Sequence, residues 1–74
     1  MDPFMREALA EAHAGLAEGG IPIGSVLVRE GTIIARGHNR REVDSDPTAH
    51  AEIHAIRRAA HRLESWRLSE CTLY

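Results

Sequence analysis

The spacing of apolar residues changes along this chain, and each change marks an element. Met5, Ala8, Leu9, Ala12 and Leu16 recur at helical spacing while Arg6, Glu7, Glu11 and Glu18 fall mainly between them, which predicts an amphipathic helix with one buried stripe. Asp2-Pro3 is a helix opening, with a side-chain acceptor at the cap and proline where no amide donor is needed. Gly19-Gly20 ends it. From Ile21 to Arg29 the run IPIGSVLVR is aliphatic and β-branched, Glu30-Gly31 provides a turn, and TIIARGHN follows, so a hairpin is expected. Nearly continuous apolar runs predict a sheet covered on both faces.

Arg40 to Asp46 is polar apart from Val43 and reads as a loop. Asp46-Pro47 repeats the opening at Asp2-Pro3 and predicts a second helix from near Thr48. Its stripe is Ile53, Ile56, Ala60 and Leu63, with Arg57, Arg58, His61 and Arg62 directed mostly away from the sheet. Trp66 and Leu68 are expected to tuck under the connection to a third strand that starts at Cys71. The fold class is α/β, a helix-sheet-helix unit in the order α-β-β-α-β. The edge of its short third strand favours association with another chain, either a second copy or a complementing segment.

Composition narrows the classes of function. At 74 residues the chain makes one small domain. Its apolar runs fall short of the roughly 18 residues a membrane span requires, and residues 1–10 carry two acids and no apolar core of a leader, so a cytoplasmic location is expected. The lone cysteine, Cys71, has no internal disulfide partner, in keeping with a reducing compartment. The formal charge of −2 gives no general attraction to a phosphate backbone; Arg40, Arg41, Arg57, Arg58 and Arg62 could form a local patch, but the favoured reading is a solvated arginine face.

The chemistry is concentrated in Asp46-Pro47-Thr48-Ala49-His50-Ala51-Glu52-Ile53, where a histidine and a glutamate stand two apart at a helix start. On the side of a helix, residues i and i+2 project roughly 200° apart and do not converge. At the amino-terminal tip they can, because side chains lean that way and a point beyond the tip is reachable from several azimuths. A metal there could take His50 as ligand and leave Glu52 beside its water, with the helix dipole favouring negative charge at the same point.

With GGIPIGSVLV, ARGHN, DPTAHAEI and SECTLY in sequence, the chain resembles, over essentially its whole length, the zinc-dependent deaminases of cytosine, cytidine and adenosine. The resemblance implies a cytidine deaminase-like fold, with residues 1–74 as the amino-terminal part of one deaminase domain. It implies zinc as cofactor, His50 as its imidazole ligand and Glu52 as the group that takes a proton from zinc-bound water and delivers it to the ring nitrogen and departing amine. Asn39 corresponds to the asparagine that hydrogen-bonds the base or its sugar, Ile23 to a pocket wall, and the Ala51 amide to a contact at the substrate carbonyl or ring edge. The two cysteine ligands of that family are expected beyond Tyr74, and Cys71, at a strand start, is expected to be a small buried apolar residue.

Other candidates have plainer readings. His54 stands one turn after His50, but the glutamate of a two-histidine zinc helix would occupy position 51, which is alanine, so His54 reads as a half-exposed helix residue. His13 and His61 read as surface or boundary histidines, and His38 as packed beside the strand end. Gly19, Gly20 and Gly24 match no phosphate-cradling pattern and read as a helix stop and a close strand approach. On substrate the resemblance divides: GGIPIGSVLV and SECTLY are similar to cytosine deaminases, DPTAHAEIHAIR and SWRLS to tRNA adenosine or guanine deaminases. The negative charge favours a small free base such as cytosine, with RNA the less favoured partner. The reading from a different class is a non-catalytic interaction module on the same scaffold.

Overall fold

The computed structural model describes all 74 residues, Met1–Tyr74. Helix α1 spans Pro3–Ala17, strands β1 and β2 span Gly24–Arg29 and Thr32–His38, helix α2 spans Ala51–Leu63, and strand β3 spans Cys71–Leu73. This is the expected order. The three strands form one sheet in the order β2-β1-β3, with β1 antiparallel to both neighbours. The hairpin closes through Glu30 and Gly31, both at positive φ (51° and 74°), as a two-residue turn matched to strand twist requires.

Side chains of β1 alternate between the two layers. Val26 and Val28 pack with Ala8, Phe4, Ile33 and Tyr74 under α1. Leu27 packs with Ala35, Ala59, Ile34, Leu68 and Cys71 under α2. A register shift between Leu27 and Val28 lets Ile34 and Ala35, adjacent in sequence, both join the α2 side. Both faces are therefore covered, and the central strand supplies the large buried side chains.

Local chemistry explains the ends of α1. Asp2 Oδ1 accepts from the amides of Phe4 (2.7 Å) and Met5 (3.4 Å). At the other end Gly19 sits at φ 87°, its amide donating to Leu16 O and that of Gly20 to Gly15 O, both at 2.9 Å, which is a Schellman motif.

Several expectations need correction. The buried line of α1 is Ala8, Ala12 and Gly15, whereas Met5, Leu9 and Leu16 are 42–54% exposed. That of α2 is Ala51, Ala55 and Ala59, with Ile53, Ile56, Ala60 and Leu63 on its flanks. Both shifts have one cause. A Cβ on Gly24 would run into the Ala8 carbonyl and the Ala12 amide, and one on Gly37 would lie 2.7 Å from His54 Cβ and 2.8 Å from Ala51 O. The helices thus ride so close to the strands that only alanine or glycine fits the line of contact.

Strand β1 begins at Gly24 rather than Ile21, and α2 begins at Ala51 rather than near Thr48. Asp46 does not cap the helix. Its Oδ1 accepts from the Thr48 amide (2.9 Å) and hydroxyl (2.7 Å), forming a separate turn, and His50 is extended (ψ 151°). Leu68 packs as expected, but Trp66 is 82% exposed, with the Arg67 guanidinium over its ring.

Strand β2 is an edge, and it is sealed from both layers. Arg36 pairs with Glu7 on α1 (2.9 Å), while Arg58 and Arg62 of α2 donate to the carbonyls of Arg36 (2.8 Å) and Ile34 (3.2 Å).

Candidate active site

Backbone hydrogen bonds gather the candidate residues at one end of the sheet. The Asn39 amide donates to Ile23 O and the Arg40 amide to Ala49 O, each at 2.9 Å. The end of β2 is thereby clamped between the segment entering β1 and the one entering α2. Strand β3 runs antiparallel to β1 from the Arg29 end, so Tyr74 pairs with Val26 and the chain is heading towards this same end.

His50 is the last residue before α2 and makes no side-chain cap, which leaves its imidazole free. Its Nδ1 lies 3.8 Å from Glu52 Oε1, and the two side chains are 42% and 45% exposed. The imidazole and the carboxylate stand together at the helix tip, as the geometric argument from the sequence requires. The amides of Ala51, Glu52 and Ile53 find no acceptor in the chain, so donors and the positive end of the helix dipole face the same region.

Asn39 is 1% exposed. Its Oδ1 accepts from the Arg41 amide at 3.2 Å, which fixes the orientation of the side-chain amide, and its Nδ2 has no partner. A buried donor without an acceptor costs about 1–3 kcal/mol, a cost that a ligand offering an acceptor would relieve. Ile23 is half-exposed beside it, and the side chain of Ala51 is buried while its amide begins the helix.

The loop between Asn39 and His50 is held by charge. Arg40 donates to both carboxylate oxygens of Asp44 (3.0–3.2 Å) and pairs with Glu18, which raises the Arg40 pKa and lowers that of Asp44. The Thr48 hydroxyl and amide hold the Asp46 carboxyl below its ordinary value. His54, laid against Gly37 with its Nε2 buried and unpartnered, is depressed by burial and then by Arg58. His38 fills the space left by Gly15 between Glu11 (Nδ1, 3.2 Å) and Glu18 (Nε2, 3.2 Å), beside the strand end as expected. His13 and His61 are exposed.

The resemblance implies zinc, and the residues present fit it in part. His50 offers one unencumbered imidazole, but no three of His, Cys, Asp and Glu stand close enough to hold a metal ion. A catalytic zinc of this type takes three protein ligands. Cys71 is not among the gathered residues: it pairs with Arg29, at the far end of β1, and packs on the Leu27 cluster. Sequence reasoning missed Gly37, whose bare backbone lets the first turn of α2 settle on β2. Its only trace in the sequence is a glycine inside a strand pattern.

The layered α-β-β-α-β unit carries a histidine and a glutamate side by side at the tip of its second helix, and this architecture is shared with known deaminases. Residues 1–74 match the cytidine and deoxycytidylate deaminase zinc-binding region, and the chain belongs to that family. It is 52% identical over 71 residues to the chloroplastic tRNA(adenine(34)) deaminase of Arabidopsis thaliana, covering 96% of this chain and 5% of that protein. It is 45% identical to the tRNA-specific adenosine deaminase of Aquifex aeolicus, of which it covers 47%. Among solved structures it superimposes on guanine deaminase from Bacillus subtilis with a TM-score of 0.92 at 43% identity, covering all of this chain and 49% of that one. A structure from work on A-to-I editing by tRNA:A34 deaminases gives 0.91 at 46% identity, covering 96% and 55%. The chain thus spans about half the length of these bacterial and solved relatives, and a small part of the plant protein. Their names point to adenosine in tRNA or to guanine, and the expectation of free cytosine finds no support among them. No helix is long and apolar enough to cross a membrane.

Proposed function

We propose that this chain carries the proton-transfer carboxylate, one zinc ligand and the base-anchoring amide of a hydrolytic purine deaminase, with adenosine in tRNA as the favoured substrate. The observation that carries the reading is the 3.8 Å approach of His50 and Glu52 at an uncapped helix tip. The reaction adds water at the ring carbon bearing the exocyclic amine, replaces that amine by oxygen and releases ammonia. Zinc, when bound, lowers the pKa of a water towards ~7 and so makes a nucleophile available in neutral solution.

The chain's own residues do the rest. His50, whose imidazole makes no cap bond, would supply one ligand to the metal. Glu52 accepts a proton from the attacking water and passes it to the ring nitrogen, then takes the second proton from the added hydroxyl and passes that one to the amine as it departs. Asn39 Nδ2, buried and without an acceptor, donates to the base or its sugar, and this orients the ring. The Ala51 amide donates at the ring edge, and Ile23 forms a wall. Two further ligands, and the walls that shield the half-exposed His50 and Glu52, come from polypeptide outside these 74 residues.

The test joins the chain to the remaining half of a tRNA adenosine deaminase and measures zinc content and ammonia release. Glu52→Gln should keep zinc and lose turnover by at least 10²-fold, in the range of a lost acid–base group. His50→Ala should lose zinc. Turnover by Glu52→Gln at the parental rate, or a zinc-free complex, would end the reading. Supplying an anticodon stem-loop in one arm and guanine in the other separates the favoured substrate from the free base suggested by the Bacillus structure.

A further inference from the structure

A groove of about 510 Å³ lies between β2 and the outer flank of α2, lined by Ile34, Ala35, Arg57, Arg58, His61 and Arg62 and bordered by Arg36. No acid lines it. Arg36 is already paired with Glu7, whereas Arg57, Arg58 and Arg62 have no carboxylate partner in the chain. Arg57 with His61, and Arg58 with Arg62, stand four residues apart on the helix, about 6 Å along its axis, so basic groups are stacked where like charges weakly oppose helix formation. The cluster gains from an external anion.

Two of the guanidinium groups are held in place. Arg58 Nη1 donates to Arg36 O and Arg62 Nη1 to Ile34 O, so one arm of each fork is anchored and the other donors are free to meet a ligand. Anchoring lowers the entropy lost on binding. The chemistry of the occupant follows from the lining. Protein partners seat aromatic and aliphatic anchors, whereas only two of the lining residues, Ile34 and Ala35, are hydrophobic, and the rest of the apolar wall belongs to arginines and a histidine. A row of forked cations matches the regularly spaced oxygens of a phosphodiester chain. Along the axis of α2, Arg57 lies about 8 Å and Arg62 about 15 Å beyond Glu52, so the row starts near the candidate site and leads away from it.

We infer that this groove binds the phosphodiester backbone of an RNA strand flanking the nucleotide presented to His50 and Glu52. The inference rests on the RNA reading of that site, and it reverses the expectation that Arg57, Arg58 and Arg62 are merely a solvated face. The overall charge of −2 is no obstacle, because binding of this kind responds to the local cluster.

The test is fluorescence anisotropy of a labelled RNA stem-loop with the full chain, over a series of salt concentrations. Combined Arg57→Gln, Arg58→Gln and Arg62→Gln should weaken binding at least tenfold at low salt and flatten the slope of log K against log salt by about 2, at ~0.7 per contact to a single strand. Because Arg58 and Arg62 also seal β2, a second variant, Arg57→Gln with His61→Gln, removes two groups that hold no side-chain hydrogen bond. It should keep the parental circular dichroism and still reduce affinity and slope. Parental affinity and slope in both variants would overturn the inference, as would absence of RNA binding by the chain. Loss of self-association without loss of RNA binding would overturn it too, by making the groove a contact between copies. If His50→Ala or Glu52→Gln removes binding while the arginine variants do not, the groove fails and the deaminase reading stands. Ammonia release tests that reading separately.

Discussion

Gly37→Ala perturbs the seam on which the candidate site is mounted. The new Cβ would lie 2.7 Å from His54 Cβ and 2.8 Å from both Ala51 O and Ala55 N, while comfortable separations begin near ~3.5 Å. Two of these three neighbours are helix backbone, so no rotamer change relieves the clash and the first turn of α2 must retreat by about 1 Å. Overpacking of this kind costs about 1–3 kcal/mol. A chain of 74 residues has about 4–11 kcal/mol of stability in total, so the loss is a large fraction. With a urea m-value near ~1 kcal/mol/M, the midpoint followed by far-ultraviolet circular dichroism should fall by about 1–3 M at unchanged slope. His50 and Glu52 ride on the displaced turn, and in a complemented enzyme a misplacement of about 1 Å should lower turnover by roughly 10²-fold. An unchanged midpoint at unchanged slope would mean that α2 does not rest on Gly37, and the account of its alanine line would fail with it.

Two further outcomes follow from the charges and the edges. His54 is depressed by burial, so the fold favours its neutral form; its contribution is whole above its ordinary value of 6.5 and declines as pH falls below it, because the unfolded chain takes the proton first. The urea midpoint should therefore drop between about pH 7.5 and 5.5, and His54→Gln should flatten that limb; identical pH dependence in the two proteins would refute the assignment. Asp44 and Asp46 are also depressed, and their contribution is lost only at lower pH, as each falls through its folded value below 3.8. At the other edge of the sheet, the Tyr74 amide points inward to Val26 O, so by alternation that of Leu73 points outward from β3. Light scattering should show association of the chain, and Leu73→Pro, which removes an outward donor, should reduce it without unfolding; a monomeric parent would count against the edge as the cause.

Much of this molecule is written in short-range chemistry, and that part was legible. The Asp2 cap spans two and three residues, the Glu30-Gly31 turn spans two, and the alternation of Val26, Leu27 and Val28 between two layers follows from the period of a strand. Each depends on neighbours in sequence, so order, hairpin and double coverage were all predictable. The pairing of His50 with Glu52 was legible for the same reason, once helix-tip geometry replaced the rule for helix sides.

What only the tertiary structure decided depends on distances between elements. Helical periodicity marked a broad apolar stripe on α1 and α2, but its centre is set by how near each helix comes to Gly24 or Gly37, and that places alanines, not Met5, Leu9 or Ile53, on the line of contact. Asp46 had two possible employments, a helix cap or a turn; the bond from the Arg40 amide to Ala49 O holds the segment extended into His50, and the turn prevails. The orphaned amide of Asn39 and the anchored forks of Arg58 and Arg62 are likewise invisible in a linear chain. Whether a polar group is left with or without a partner is a property of three-dimensional neighbours, which no local pattern encodes.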